Sequence, residues 1–232
     1  GIIPTESKQP FDMQEVIARI VDDSDFLAFK QEFDAHTLCV WAKIAGFNVG
    51  IISNNGPITA QGAAKAAQFI QLCEQTGRPL LFLHNTTGFM VGTDAEQSGI
   101  IKHGAKLIQA VANCTVAKIS IVVAGSYGAG NYAMCGRSLA PQFIFAWPSS
   151  RVAVMGAAQA GKVLRIVAEA KQVASGMQPN AEMLDFLEQS TALKLEQQST
   201  ALFNTAMLHD DGIIDPRETR KLLIFLLETI EE

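Results

Sequence analysis

Apolar residues recur at helical spacing through residues 11–33, at Val16, Ile17 and Ile20 and again at Phe26, Phe29 and Phe33. Asp12 and Ser24 are placed to cap two short helices there. The period then changes: residues 38–44 and 47–52 read as two strands folded back on each other at Ala45-Gly46, a hairpin. Residues 59–76 return to helical spacing, with Ala63, Ala67, Ile70 and Cys73 on one face and Gly77 then Pro79 as the stop. Short continuous apolar runs at 79–83 and 116–124 predict strands buried on both faces. Between them lie a glycine-bearing loop, 85–93, and a helix, 98–113. Further on, 128–136 predicts a short helix, 143–147 and 152–155 strands, and 157–174, 181–208 and 218–229 helices. Strands alternating with helices define an α/β layered fold, and residues 157–232 read as mainly helical.

Composition narrows the picture. The chain has 232 residues, 48% hydrophobic and 18% charged, enough for a large packed core. Eighteen Lys and Arg against 23 Asp and Glu give a net charge of −5 without a basic block, which argues against a nucleic-acid partner. No apolar run approaches the roughly 18 residues of a membrane span. Cys39, Cys73, Cys114 and Cys135 are far apart in apolar stretches, as buried reduced thiols in a reducing compartment would be. The opening at Gly1, with an extended proline-bearing lead-in to Pro10, reads as that of a fragment. A four-residue duplication, Ser-Thr-Ala-Leu at 190–193 and 199–202, is too short in period to be a structural repeat.

Three chemistries suggest themselves. Gly156 through Lys162 has phosphate-loop spacing, but Val163 stands where a magnesium-binding hydroxyl is needed, so ATP is not expected here. Ser126, flanked by Gly125 and Gly128, resembles a nucleophile elbow with Ala124 in place of the first glycine. His84, His103 and His209 are its possible partners, and a turn or helix-cap role for Ser126 is the plainer reading. The third chemistry uses the backbone. Tyr127-Gly128-Ala129-Gly130-Asn131 brings small residues to the point where a buried strand becomes a helix, so free N–H groups converge on one space suited to an oxyanion. A second turn, Gly88-Phe89-Met90-Val91-Gly92, follows the neighbouring strand, and Phe89 and Met90 would supply apolar walls to the same crevice.

The runs Thr87-Gly-Phe-Met-Val-Gly92, Lys102-His-Gly-Ala-Lys106, Gly125-Ser-Tyr-Gly-Ala-Gly-Asn131, Met134-Cys-Gly-Arg137, Val154-Met-Gly156 and Asp211-Gly-Ile-Ile-Asp-Pro-Arg217 resemble biotin-dependent acyl-CoA carboxylase β subunits of the 3-methylcrotonyl-CoA and geranyl-CoA branch. The resemblance covers nearly the whole chain. It implies a crotonase-like ββα superhelix with a helical C-terminal extension, the C-terminal half of the carboxyltransferase. The half that carries most of the CoA site is absent from the sequence.

By that resemblance, carboxybiotin on a partner α subunit delivers the carboxyl group to an acyl-CoA. The motif's oxyanion hole for the biotin ureido oxygen falls on Ala129 and Gly130. Gly88, Phe89, Met90, Gly92, Tyr127, Gly128 and Asn131 surround the biotin and substrate. No metal or ATP is implied for this chain. The resemblance implies further β subunits as partners, paired into dimers within a hexamer, and a cytoplasmic or mitochondrial-matrix location. Methylcrotonyl enzymes typically read Met-Gly-Gly-Glu-Gln where this chain has Met155-Gly-Ala-Ala-Gln159, which leans the reading towards geranyl-CoA.

Two other readings remain. A hydratase of the same fold would present paired carboxylates, and 127–137 contains no Asp or Glu. A non-catalytic assembly module would oligomerise through the apolar final helices, and for a β subunit that shares its site the small-residue face of 59–76 and the leucines of 218–229 are the expected partner faces.

Overall fold

The structure, a computed structural model, describes residues 2–4 and 9–231, so part of the predicted lead-in to Pro10 lies outside the described residues. The chain runs α1 (Met13–Ile20), β1 (Phe26–Ala28), β2 (Thr37–Ile44), β3 (Phe47–Asn54), α2 (Ala60–Gln75), β4 (Leu80–Thr86), α3 (Thr93–Gln97), α4 (Ile100–Asn113) and β5 (Lys118–Tyr127). It continues through α5 (Ala129–Ala133), β6 (Phe143–Ala146), β7 (Arg151–Ala153), α6 (Ala157–Ala174), α7 (Ala181–Ser199), α8 (Ala201–Ala206) and α9 (Thr219–Glu231).

The strands form one sheet in the order β1-β2-β3-β4-β5-β6, with β7 also pairing β5. The pairs β1–β2 and β2–β3 are antiparallel, and the pairs from β3 to β6 are parallel. The predicted hairpin is β2–β3, and Ala45 and Gly46 both turn with positive φ, as a tight two-residue hairpin turn requires. Successive residues of a strand face opposite sides, so β4 feeds two cores at once. Leu81 and Leu83 pack with α1 and α9, whereas Leu80 and Phe82 pack with α2 and α4. The parallel strands are therefore covered on both faces, which is why their sequences read as unbroken apolar runs.

Several expectations are corrected. Asp12 caps α1 as expected, its carboxylate accepting from the Gln14 N–H. Ser24 starts no α-helix: Asp23 and Ser24 have positive φ, and Phe26 pairs with Ala42 in a strand. Phe29 is drawn away by a ring contact with Phe69 instead. The helix predicted at 181–208 breaks at Thr200, whose hydroxyl accepts from the Phe203 N–H and starts α8.

The small-residue face of α2 and the leucines of α9 are not partner surfaces. Ala63, Ala66 and Ala67 are buried against the sheet and α4, and Leu223, Leu226 and Leu227 are buried with α1. Many of the exposed large apolar side chains lie on α6, α7 and α8, among them Ile166, Val167, Phe186 and Leu202, and others, such as Val91, Ile101 and Phe225, are scattered over the rest of the surface. No helix of the described residues is long and apolar enough to cross a membrane. All four cysteines are buried free thiols.

Candidate active site at the glycine turns

The site is built where β4 and β5 end side by side. β5 runs on through Tyr127, past the predicted end at Ala124, because Gly125, Ser126 and Tyr127 pair with Arg151, Val152 and Ala153 of β7. The chain then turns sharply at Gly128, with φ 55° and ψ −140°, a conformation that glycine adopts without strain. The Gly128 N–H donates to the Ala153 carbonyl at 2.9 Å and the Asn131 N–H to Gly128 at 3.1 Å. Ala129 and Gly130, between them, open α5, and among the described residues neither N–H has an acceptor.

The loop after β4 closes on this turn. Thr86 Oγ1 receives the Gly88 N–H at 3.1 Å, a hydroxyl-anchored turn that sequence reasoning missed although Thr-x-Gly is its local signal. The Gly88 carbonyl accepts from Ile58 and the Ile58 carbonyl from Met90, pinning the loop to the start of α2. Gly88 has φ 111°, and a Cβ on it would lie 3.2 Å from the Tyr127 carbonyl. A Cβ on Gly130 would lie 2.8 Å from the Gly88 Cα. The two glycine turns thus touch main chain to main chain, and the structure brings Gly88, Tyr127, Gly128, Ala129 and Gly130 together.

Phe89, Met90 and Gly92 sit differently. The Phe89 ring lies on Gly104 of α4 and, with Met90 and Ile101, lines an apolar groove of about 390 Å³. Gly92 is an exposed N-cap of α3. Tyr127 instead lines a cleft of about 650 Å³ with Thr86, Thr87, Gly125 and Arg151. Burial raises the Tyr127 phenol above its ordinary range and Glu196 adds to this, while Arg151 opposes it. Val154, 73% exposed, and Met155 border the same turn, since a Cβ on Gly128 would lie 3.0 Å from the Val154 carbonyl.

The Asn131 side chain turns inward, its Nδ2 donating to Ser126 Oγ at 2.8 Å. Ser126 is an interior strand residue, fully buried, so neither the elbow nor a turn or cap role describes it. Of the three histidines considered, only His84 reaches it, Nδ1 to Oγ 2.9 Å. Burial pushes His84 down to about 3, opposed only by the Met134 carbonyl, which leaves the ring neutral. His209 instead pairs with Asn204 Oδ1 at 3.0 Å. The phosphate-loop candidate is a helix contact, where a Cβ on Gly161 would meet the Glu188 carbonyl of α7. The described residues contain no cluster of three or more His, Cys, Asp or Glu suited to a metal ion.

A mixed sheet layered by helices, with two glycine turns meeting at the ends of parallel strands, is the crotonase-like carboxyltransferase architecture. The carboxyl transferase domain model matches residues 1–232, and the chain belongs to that family. It is 47% identical over 231 residues to the probable biotin-dependent acyl-coenzyme A carboxylase beta2 subunit of Mycobacterium tuberculosis, covering 99% of this chain and 44% of that one. It is 46% identical over 223 residues to the probable mitochondrial methylcrotonoyl-CoA carboxylase beta chain of Drosophila melanogaster, covering 96% and 39%. The crystal structure of the P. aeruginosa geranyl-CoA carboxylase beta subunit matches with a TM-score of 0.95 and 62% identity, over 100% of this chain and 44% of that one. The chain therefore spans less than half the length of these relatives.

Proposed function

We propose that this chain forms the biotin-facing half of the carboxyltransferase site of a biotin-dependent acyl-CoA carboxylase. The carboxyl group passes to the γ carbon of a 3-methyl-2-enoyl-CoA, with geranyl-CoA favoured over 3-methylcrotonyl-CoA. One observation carries the reading: among the described residues the Ala129 and Gly130 N–H groups have no acceptor, at a turn where a Cβ on Gly130 would lie 2.8 Å from the Gly88 Cα. Biotin, when bound, supplies the carboxyl group and a ureido oxygen on which negative charge develops. The chain's part is to aim those two amides at that oxygen, where preorganised donors stabilise developing charge most effectively. No side chain of this half is required as base, in keeping with a fully buried Ser126 and a neutral, buried His84.

The geranyl preference is supported by the 62% identity to the geranyl-CoA enzyme against 46% to the methylcrotonoyl-CoA chain, and by Ala157-Ala158 in the 155–159 stretch. The partners are a biotin-carrying α subunit and further β subunits, paired and stacked into a hexamer. The related transcarboxylase 12S subunit, 32% identical, has a structure described as a hexamer assembly. The exposed apolar residues of α6–α8 are the surface this chain offers to a partner half. The compartment is the cytoplasm, or the mitochondrial matrix in a eukaryote.

The test is Gly130→Val in the whole carboxylase. Its side chain would fill the space between the turns, so carboxyl transfer should fall by at least about 100-fold while the protein stays soluble. Steady-state transfer to geranyl-CoA and 3-methylcrotonyl-CoA measures both this loss and the acyl preference, and near-parental rates in the variant would overturn the assignment.

A further inference from the structure

We propose that Asn131, Ser126 and His84 form a positioning relay that sets the Ala129 and Gly130 amides against the Gly88 turn. The inference rests on the carboxyltransferase reading and concerns side chains that turn inward and do not line the cleft beside Tyr127. Three elements are joined: Asn131 on α5 donates to Ser126 on β5, and Ser126 meets His84 on β4. The chain of hydrogen bonds has one direction. The Asn131 amide nitrogen can only donate to Ser126 Oγ, and with the ring proton on Nε2 the Ser126 hydroxyl donates onward to Nδ1.

Packing alone does not explain this arrangement. Ser126 and His84 are both fully buried, and among the described residues Nε2 makes no hydrogen bond of good geometry, although the Met134 carbonyl acts on the ring, a cost that an apolar trio of similar volume would avoid. The polar atoms converge on one place, the residue directly after Gly130, whose side chain fixes the peptide that aims the free amides.

Gly136 supplies an independent observation. Its φ of −65° suits any residue, yet a Cβ there would overlap the Asn131 carboxamide. Position 136 is therefore kept empty by Asn131, and its own N–H donates to the Asn131 carbonyl at 2.8 Å.

This geometry allows the relay to be broken without touching any of its members. In the whole carboxylase, Gly136→Ala and Asn131→Ala should each lower kcat by about 10- to 100-fold, the range expected for a small misplacement of a catalytic group. The KM for free biotin should rise and that for acyl-CoA should stay at the parental value. The double variant should be no worse than Asn131→Ala alone, since both changes remove one interaction. Ser126→Ala should cost about tenfold, far less than loss of a nucleophile. His84→Gln, which keeps an acceptor for the Ser126 hydroxyl, should stay near the parent, and His84→Leu should not. If His84→Leu fails to fold, Gly136→Ala decides alone.

Parental kcat and biotin KM in Gly136→Ala, or losses that multiply in the double variant, overturn the relay. Gly130→Val separates the two levels. If it is inactive while the relay variants are parental, only the relay falls, whereas if it is active both fall.

Discussion

Helices α2 and α6 look alike on paper, both rich in alanine with a glycine in an early turn, and the molecule uses them in opposite ways. α2 lies in the crossover between β3 and β4 and buries Ala60, Gly62, Ala63, Lys65, Ala66, Ala67, Phe69, Ile70 and Cys73. Its Lys65 ammonium is held inside by the Asp34 carbonyl at 2.7 Å, and burial lowers its pKa. α6 follows the last strand and packs chiefly on α7; it buries Ala160 and Gly161 and leaves Ile166 64% exposed. Small residues permit close approach, but the element that approaches is decided by the sheet. The contrast separates a finished core from an apolar face left open to solvent.

The comparison can be broken most severely at Phe69, fully buried between Phe29 and Trp41. Phe69→Ala should destabilise the fold by about 3–5 kcal/mol in denaturant unfolding. A second effect is acid-dependent and belongs to the same buried side. His84 titrates near 3 in the fold against an ordinary 6.5, so the unfolded chain takes up the proton first as pH falls. Stability should be lost progressively from about pH 6.5 towards 3, by up to about 1.4 kcal/mol per pH unit, and His84→Gln should flatten that slope. Unfolding midpoints at stepped pH read it directly. The smallest effect is expected on the α6–α7 pair: Ile166→Ser and Phe186→Ser should each change stability by no more than about 0.5 kcal/mol while weakening self-association in light scattering. A loss at Ile166 as large as at Phe69 would erase the distinction between the two helices.

What the sequence conveyed divides along the same line. Local signals were read well: Ala45-Gly46 marked the β2–β3 turn, and α6 runs over Ala157–Ala174, the bounds its spacing predicts. The Phe26, Phe29 and Phe33 spacing suited a helix, but pairing with β2 and the Phe29–Phe69 contact prevailed, and both depend on distant residues. Amphipathic spacing told which faces of α2 and α9 are apolar but not what covers them. The break at Thr200 had a local cue, since the second Ser-Thr-Ala-Leu copy places a threonine cap there while the first lies within α7. At the site, the meeting of the two glycine turns follows from adjacent parallel strands and was legible. The pairing of His84 with Ser126 was not, because 42 residues separate them and only the strand register brings them together.

The contact of Gly88 with Gly130 has a consequence for how such a protein can diverge. Two main chains in direct contact offer no side chain to exchange, so random mutagenesis at these two positions should return glycine and little else. Change enters more easily at the flanking Val154 and Met155, whose exposed side chains can be replaced without disturbing the turn beneath. The centre tolerates little change and the rim is free to vary.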